Sequence, residues 1–249
     1  TNNVSPAPIA HRPLILIACM LAMFMSAIEA TIVATAMPTI IGDLGGFSLL
    51  GWVFAVYLLS QAITIPIYGR LADLYGRKRV FFFGATLFLL GSVLCGFAPD
   101  MYWLIGFRLL QGLGAGAIMP IASTIIGDIY SATERPKVMG YLSSVWGVSA
   151  IIGPLLGAFI VQHLPWALVF WVNLPIGLLA MFFLWRYLTA HQPLRQHALD
   201  LAGTAWLTLF VSALLLALLQ MESLGWWVVP LFALAAAALA LLVRQERRA

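Results

Sequence analysis

The chain has 249 residues, 63% of them hydrophobic and only 9% charged, with a formal net charge of +4. A soluble domain carries about a quarter charged residues to solvate its surface, so this composition excludes a water-soluble globule and makes the bilayer the solvent. The net charge is explained by bases at the ends of apolar runs and is not a nucleic-acid signal, so no nucleic-acid partner is expected.

A membrane-spanning helix takes about 20 apolar residues at ~1.5 Å rise each. Eight runs meet this, at roughly 14–37, 49–67, 80–97, 102–125, 138–161, 166–187, 201–219 and 226–243. The first is long enough to span and no small-residue cleavage site follows it, so it reads as a span and not as a cleavable leader. The breaks are short and carry turn chemistry, as in Gly42-Asp43-Leu44-Gly45-Gly46, Ala98-Pro99-Asp100 and Glu222-Ser223-Leu224-Gly225. Cys19 and Cys95 fall inside apolar runs, with neither a disulfide framework nor metal-ligand spacing.

Orientation follows from Lys and Arg. With the N-terminus inside, twelve of the 13 basic residues fall on the inside and none in the outside turns, the exception being Arg108 within the fourth span. Both termini are therefore expected in the cytoplasm, and the protein in the inner (plasma) membrane. A weak repeat is visible as well. The first span ends Met37-Pro38-Thr39-Ile40-Ile41-Gly42-Asp43, and the fourth ends Met119-Pro120, with Thr124-Ile125-Ile126-Gly127-Asp128 shortly after. These spans run in opposite directions, as an inverted three-plus-three repeat requires.

Two charges lie well inside spans, Glu29 in the first and Arg108 in the fourth. A charge at the bilayer centre costs about 2.5–3.5 kcal/mol on insertion scales and should face a protein interior or a water-filled cavity. The rise per residue puts Glu29 about 12 Å and Arg108 about 9 Å below the outer surface, so the two can pair if their helices are neighbours. The functional reading has Glu29 bind and release a proton, or meet a cationic substrate, with Arg108 tuning its proton affinity. The plainer alternative is a fixed structural ion pair.

In the second span Tyr57 and Gln61 are mid-span, four apart and on one face, which makes them substrate-cavity candidates. Trp52, near the outer end, reads as an interfacial anchor. In the fifth span Ser149, Gly153 and Gly157 are spaced by four. They line one face where another helix can approach closely, and Pro154 removes a backbone hydrogen bond and permits a bend. Between the second and third spans, Gly69-Arg70-Leu71-Ala72-Asp73-Leu74-Tyr75-Gly76-Arg77-Lys78-Arg79 reads as a tight cytoplasmic turn bracketed by two glycines. Positive-inside flanking explains its bases but not Asp73 or the glycines.

That run resembles the signature loop of the major facilitator superfamily, G-x-L-a-D-r-x-G-r-k. It matches at Gly69, Leu71, Ala72, Asp73, Gly76, Arg77 and Lys78, with Leu74 at the usual basic position. The first span, from Ile28 through Glu29 and Thr31-Ile32-Val33 to Met37-Pro38, resembles the L-D-x-T-I-V-x-x-A-L-P run of fourteen-helix drug:proton antiporters, with Glu29 in place of Asp. Arg108-Leu109-Leu110-Gln111-Gly112-Leu113-Gly114-Ala115-Gly116 resembles the R-x-x-Q-G-x-G-a-a motif that the family ties to proton coupling, and Gln111 joins the substrate-cavity candidates. Gly147 and Gly153-Pro154-Leu155-Leu156-Gly157 resemble the antiporter motif, with Ala158 at its final glycine. Asn173-Leu174-Pro175-Ile176-Gly177 fits the same branch. The resemblance covers 12–249.

The resemblance implies an all-α membrane protein. It has a cytoplasmic N-terminal segment (1–13), a six-helix N-terminal bundle of inverted 3+3 repeats (14–188), a cytoplasmic linker (189–200), two additional transmembrane helices (201–243) and a basic cytoplasmic end (244–249). It implies the N-terminal half of a proton-coupled multidrug exporter, an antiporter for lipophilic, cationic compounds that works by alternating access. Its expected partners are that substrate, protons, the lipid bilayer and a C-terminal bundle of the same protein, since alternating access needs two bundles. The chain is then a fragment of that protein or a half-transporter that dimerises. The alternatives are a facilitator or symporter for another small solute, and a non-transporting membrane scaffold. No Walker-type loop or catalytic constellation is present, so neither an enzyme nor a cofactor or metal site is expected, and the proton gradient is the expected drive.

Overall fold

The computed structural model describes residues 11–188, 201–219, 221 and 225–246. The expected linker 189–200 and the Glu222-Ser223-Leu224 part of the last turn lie outside the described residues. Every described element is helical: α1 Arg12–Leu44, α2 Leu50–Tyr75, α3 Arg77–Gly96, α4 Met101–Ile129, α5 Arg135–His163, α6 Leu168–Trp171, α7 Asn173–Tyr187, α8 Leu201–Leu219 and α9 Val229–Glu246, with short 3-10 turns before α2 and α9. Among the described residues seven apolar helical segments are long enough to cross a membrane. The expected seventh span is the helix α8, whose continuous apolar stretch Ala205–Leu218 is shorter. The expected sixth span is one path made of α6 and α7, interrupted at Val172.

Several ends differ from the expectation, for one physical reason. In lipid an unpaired backbone group has no water to turn to, so the helix persists through residues that end helices in water. α1 runs through Pro38 and Gly42 and closes at Gly45, whose N–H reaches the Ile41 carbonyl at 2.8 Å. α4 continues through Pro120 to Ile129. α2 continues to Tyr75, so Gly69 lies within the helix and does not bracket the turn. Only Gly76 does, with φ of +88°, a conformation that L side chains rarely adopt. At the other side of the membrane α4 starts where expected, because the Asp100 carboxylate caps it by accepting from the Tyr102 and Trp103 N–H groups at 2.8 and 3.0 Å.

The packing carries the repeat. α1 packs on α5 and α7, α4 packs on α2 and α3, and α1 and α4 touch each other. Exchanging the first three spans for the second three turns each of these contacts into another. α1 and α4 are the buried helices of the bundle, whereas α2 and α5 are buried far less. On α5 the buried positions Val138, Leu142, Val145, Ser149, Gly153, Gly157 and Ile160 form a single stripe, with exposed Tyr141, Trp146, Ile151 and Leu155 between them. α8 packs on α9 and against α2.

Candidate functional site

Glu29 lies in the middle of α1 and Arg108 in the N-terminal third of α4, and both are fully buried, at 0% and 1% exposure. The contact of α1 with α4 brings them into an ion pair, Arg108 Nη1 to Glu29 Oε1. Arg108 has three further partners. Nη1 donates to Gln111 Oε1 at 2.7 Å, Nε donates to the Val53 carbonyl of α2 at 3.4 Å, and the guanidinium carbon sits 4.0 Å from the Tyr57 ring centroid. At that distance the ring face attracts the cation through its quadrupole.

The cluster extends beyond the residues singled out in the sequence. Asn173, the first residue of α7, donates from Nδ2 to Glu29 Oε2 and lies 3.4 Å from Ser92 Oγ of α3. Ser92 Oγ also accepts from Gln111 Nε2 at 2.7 Å. Cys95 Sγ lies 3.9 Å from Gln111 Oε1. Five helices thus contribute to one cluster, around a carboxylate whose two oxygens are both bonded. Asn173 belongs to a run noted for its branch resemblance, and Ser92 carried no signal, since an uncharged polar residue in a span has many ordinary uses.

The other expected site residues divide by location. Tyr57 and Gln111 are buried in this cluster inside the bundle, and Gln61 is half-buried on α2 next to it. In the antiporter motif, Gly153 and Gly157 are the positions where α5 meets α1. A Cβ at Gly153 would strike Thr31 Oγ1, and one at Gly157 would lie 3.1 Å from the Ile32 carbonyl oxygen. Thr31 Oγ1 also reaches the Ser149 carbonyl at 3.3 Å. Gly147, by contrast, is exposed and has open space around it, and Pro154 is exposed on a helix that continues without a break.

At the C-terminal end of α4 Arg77 pairs with Asp128 and donates to the Thr124 carbonyl at 3.2 Å, which fixes the signature segment to that helix. Lys78 Nζ donates to the Trp185 and Leu188 carbonyls, both at 2.7 Å, and so closes the C-terminus of α7. Asp73 and Gly69 remain apart from these contacts, Asp73 on an exposed face and Gly69 with open space where a Cβ would sit. A second latch joins the start of α1 to the α4–α5 connection. Arg12 lies 3.6 Å from Glu134, whose carboxylate accepts from the Ser131 N–H and O–H. Those Ser131 hydrogen bonds, with Arg12 adding less, hold the Glu134 carboxyl below the usual carboxylate range.

The sequence profile of the Major Facilitator Superfamily matches residues 19–244. Multidrug resistance protein 3 of Bacillus subtilis (strain 168) is 43% identical over 87% of this chain, and Multidrug transporter protein MdtP of the same organism is 42% identical over 91%. The chain spans 42% of the length of each. Among solved structures, the POT family transporter PepTSo superposes with a TM-score of 0.65 at 19% identity, over 95% of this chain and 51% of that one. The human organic anion transporter MFSD10 (TETRAN) gives 0.66 at 18% identity, over 84% and 55%. These two share the fold, and the inverted packing, the matched profile and the curated relatives agree: the chain is a multi-pass membrane protein that belongs to the major facilitator superfamily.

Proposed function

We propose that this chain is the N-terminal half of a proton-coupled multidrug exporter of the fourteen-helix branch. It exchanges protons for lipophilic, cationic compounds by alternating access in the inner membrane, with both termini in the cytoplasm. The names of the Bacillus relatives support multidrug transport. The observation that carries proton coupling is the buried Glu29–Arg108 pair, which joins the two repeat-related central helices. A carboxylate at 0% exposure with both oxygens bonded inside one bundle supports proton binding over direct contact with substrate. In this reading Tyr57 and Gln111 serve the proton site through Arg108, Gln61 is the cavity candidate, and the C-terminal bundle supplies the opposite wall. No cofactor takes part. Asp73, on the exposed face of α2, is assigned to the contact with that second bundle.

The test is transport by the full-length protein in inverted membrane vesicles, with an imposed pH gradient and a panel of cationic dyes. Gradient-driven dye uptake is expected for the natural protein and is expected to vanish in Glu29→Gln. Dye movement indifferent to the gradient, or undiminished in Glu29→Gln, would sink the proposal.

A further inference from the structure

Asn173 donates to Glu29 Oε2, the oxygen that Arg108 Nη1 does not take. It opens α7 immediately after the interruption at Val172. Pro175 has no N–H, so at the interruption the Trp171 carbonyl has no backbone donor four residues on. The segment before the break is held to α3, where Trp171 Nε1 donates to the Val93 carbonyl at 3.2 Å and Gly96 lies directly under the indole. Asn173 therefore stands at a discontinuity anchored on one side, with its side chain on the one buried acid among the described residues. It is fully buried, and its Oδ1 has no hydrogen-bond partner.

An amide can serve both protonation states of a carboxyl. Its N–H₂ donates to the ionised form, as observed here. Turned over, its oxygen accepts from the O–H of the protonated form, which gives the unpartnered Oδ1 a use. The carboxylate takes up one proton and nothing else changes bonding partners covalently. Among the described residues the titratable groups around Glu29 are Arg108 from α4, Tyr57 from α2 and Cys95 from α3, while α5 and α7 bring none. None of these takes that part, because Arg108 only donates, the Tyr57 ring faces Arg108 and Cys95 Sγ donates to Gln111, while the Gln111 amide already gives Oε1 to Arg108 and Nε2 to Ser92.

We propose that Asn173 is the positioning residue of the Glu29 proton site, holding the carboxyl in both protonation states and tying its charge to the break in the sixth span. This rests on the proton-coupling reading above and names a further residue for it. The experiment titrates the protonated-carboxyl infrared band of the purified full-length protein, identified as the band lost in Glu29→Gln. A hydrogen bond to a charged acceptor is about twice as strong as to a neutral one, so removing the amide favours the protonated form.

In Asn173→Leu the titration midpoint and the pH profile of transport are expected to move up together by about one unit, a ~tenfold change in proton affinity. The band itself shifts in frequency as the O–H loses its acceptor. Asn173→Gln, which keeps the amide, is expected to stay closer to the natural protein. Asn173→Ala replaces the Leu variant in the same measurement if that variant does not fold. A midpoint unmoved in the folded variant, or displaced as far by Gln as by Leu, overturns the assignment. If the Glu29 band does not titrate, or transport in the natural protein ignores the gradient, the proton-coupling reading fails and the assignment with it.

Discussion

Breaking the Glu29–Arg108 pair from either side should have unequal consequences. In Arg108→Gln the carboxylate keeps only the neutral amides of Asn173 and Gln111 beside it and is an uncompensated buried charge, a situation that destabilises by about 3–5 kcal/mol. In Glu29→Gln the shape is kept, and Arg108 retains Gln111 at 2.7 Å, the Val53 carbonyl at 3.4 Å and the Tyr57 face at 4.0 Å. That loss should be about 1–2 kcal/mol, the worth of a charge-assisted hydrogen bond partly replaced. The double variant leaves neither charge and should lie near Glu29→Gln, well short of the sum. Protonating Glu29 removes the charge that needs a partner. The Arg108→Gln deficit should therefore shrink on acidification, by at most about 1.4 kcal/mol per pH unit. The assay is thermal or denaturant unfolding of the purified full-length protein and its three variants at mildly alkaline and mildly acidic pH. Equal losses in the two single variants, additivity in the double, or a deficit unchanged by acid would refute the reasoning.

Three further outcomes test the packing. Gly153→Val should be destabilised by about 1–3 kcal/mol through overpacking against Thr31 of α1, whereas Gly147→Val, in open space, should unfold like the natural protein. Lys78→Met should lose about 1–3 kcal/mol with its two bonds to the end of α7, read as faster amide exchange at 184–188 than elsewhere in the bundle. Glu134 has its folded value lowered, so its contribution to the latch between Arg12 and the α4–α5 connection is complete above its unfolded value and is lost as pH falls through the folded one. Amide exchange around Ser131, corrected for intrinsic pH dependence, should rise over that acidic range and should be insensitive to it in Glu134→Gln.

What the sequence disclosed and what it concealed have separate physical causes. Glu29 and Arg108 stood out because a charge in an apolar run is costly and rare, and their nearly matched depths made pairing an expectation that the α1–α4 contact realises. The helix ends at Pro38, Pro120 and Gly69 misled because proline and glycine mark termini through a competition with water that lipid does not offer. Gly147 and Gly153 belong to one motif, yet only Gly153 lies on the face that meets α1, and that distinction depends on where the neighbouring helix sits. Ser92 and Asn173 were hidden for the same reason. Their importance lies in Asn173 of α7 reaching Glu29 and Ser92 of α3 joining Asn173 to Gln111, which no periodicity along either helix encodes.

The faintness of the internal repeat has a physical explanation in the same cluster. Glu29 and Gln111 each lie eight residues before the Met-Pro of their helices, Met37-Pro38 and Met119-Pro120, so in that register they are counterparts. Both place Oε1 on the same nitrogen, Arg108 Nη1. A strictly repeated sequence would put two carboxylates around one guanidinium, leaving a buried excess negative charge that favours protonation of one acid regardless of the cycle. Replacing one acid by its neutral isostere keeps the donor and acceptor geometry and leaves one charge for Arg108 to balance. The close helix contacts diverge likewise. The glycines that admit α1 lie on α5, whereas in the equivalent α2–α4 contact Gly112 and Gly116 lie on α4, under the Tyr57 and Gln61 carbonyls. Backbone proximity requires a small residue on one side of an interface and is indifferent to which side supplies it. Symmetric packing therefore survives while the residues that produce it drift apart, and the charge pair requires that they do.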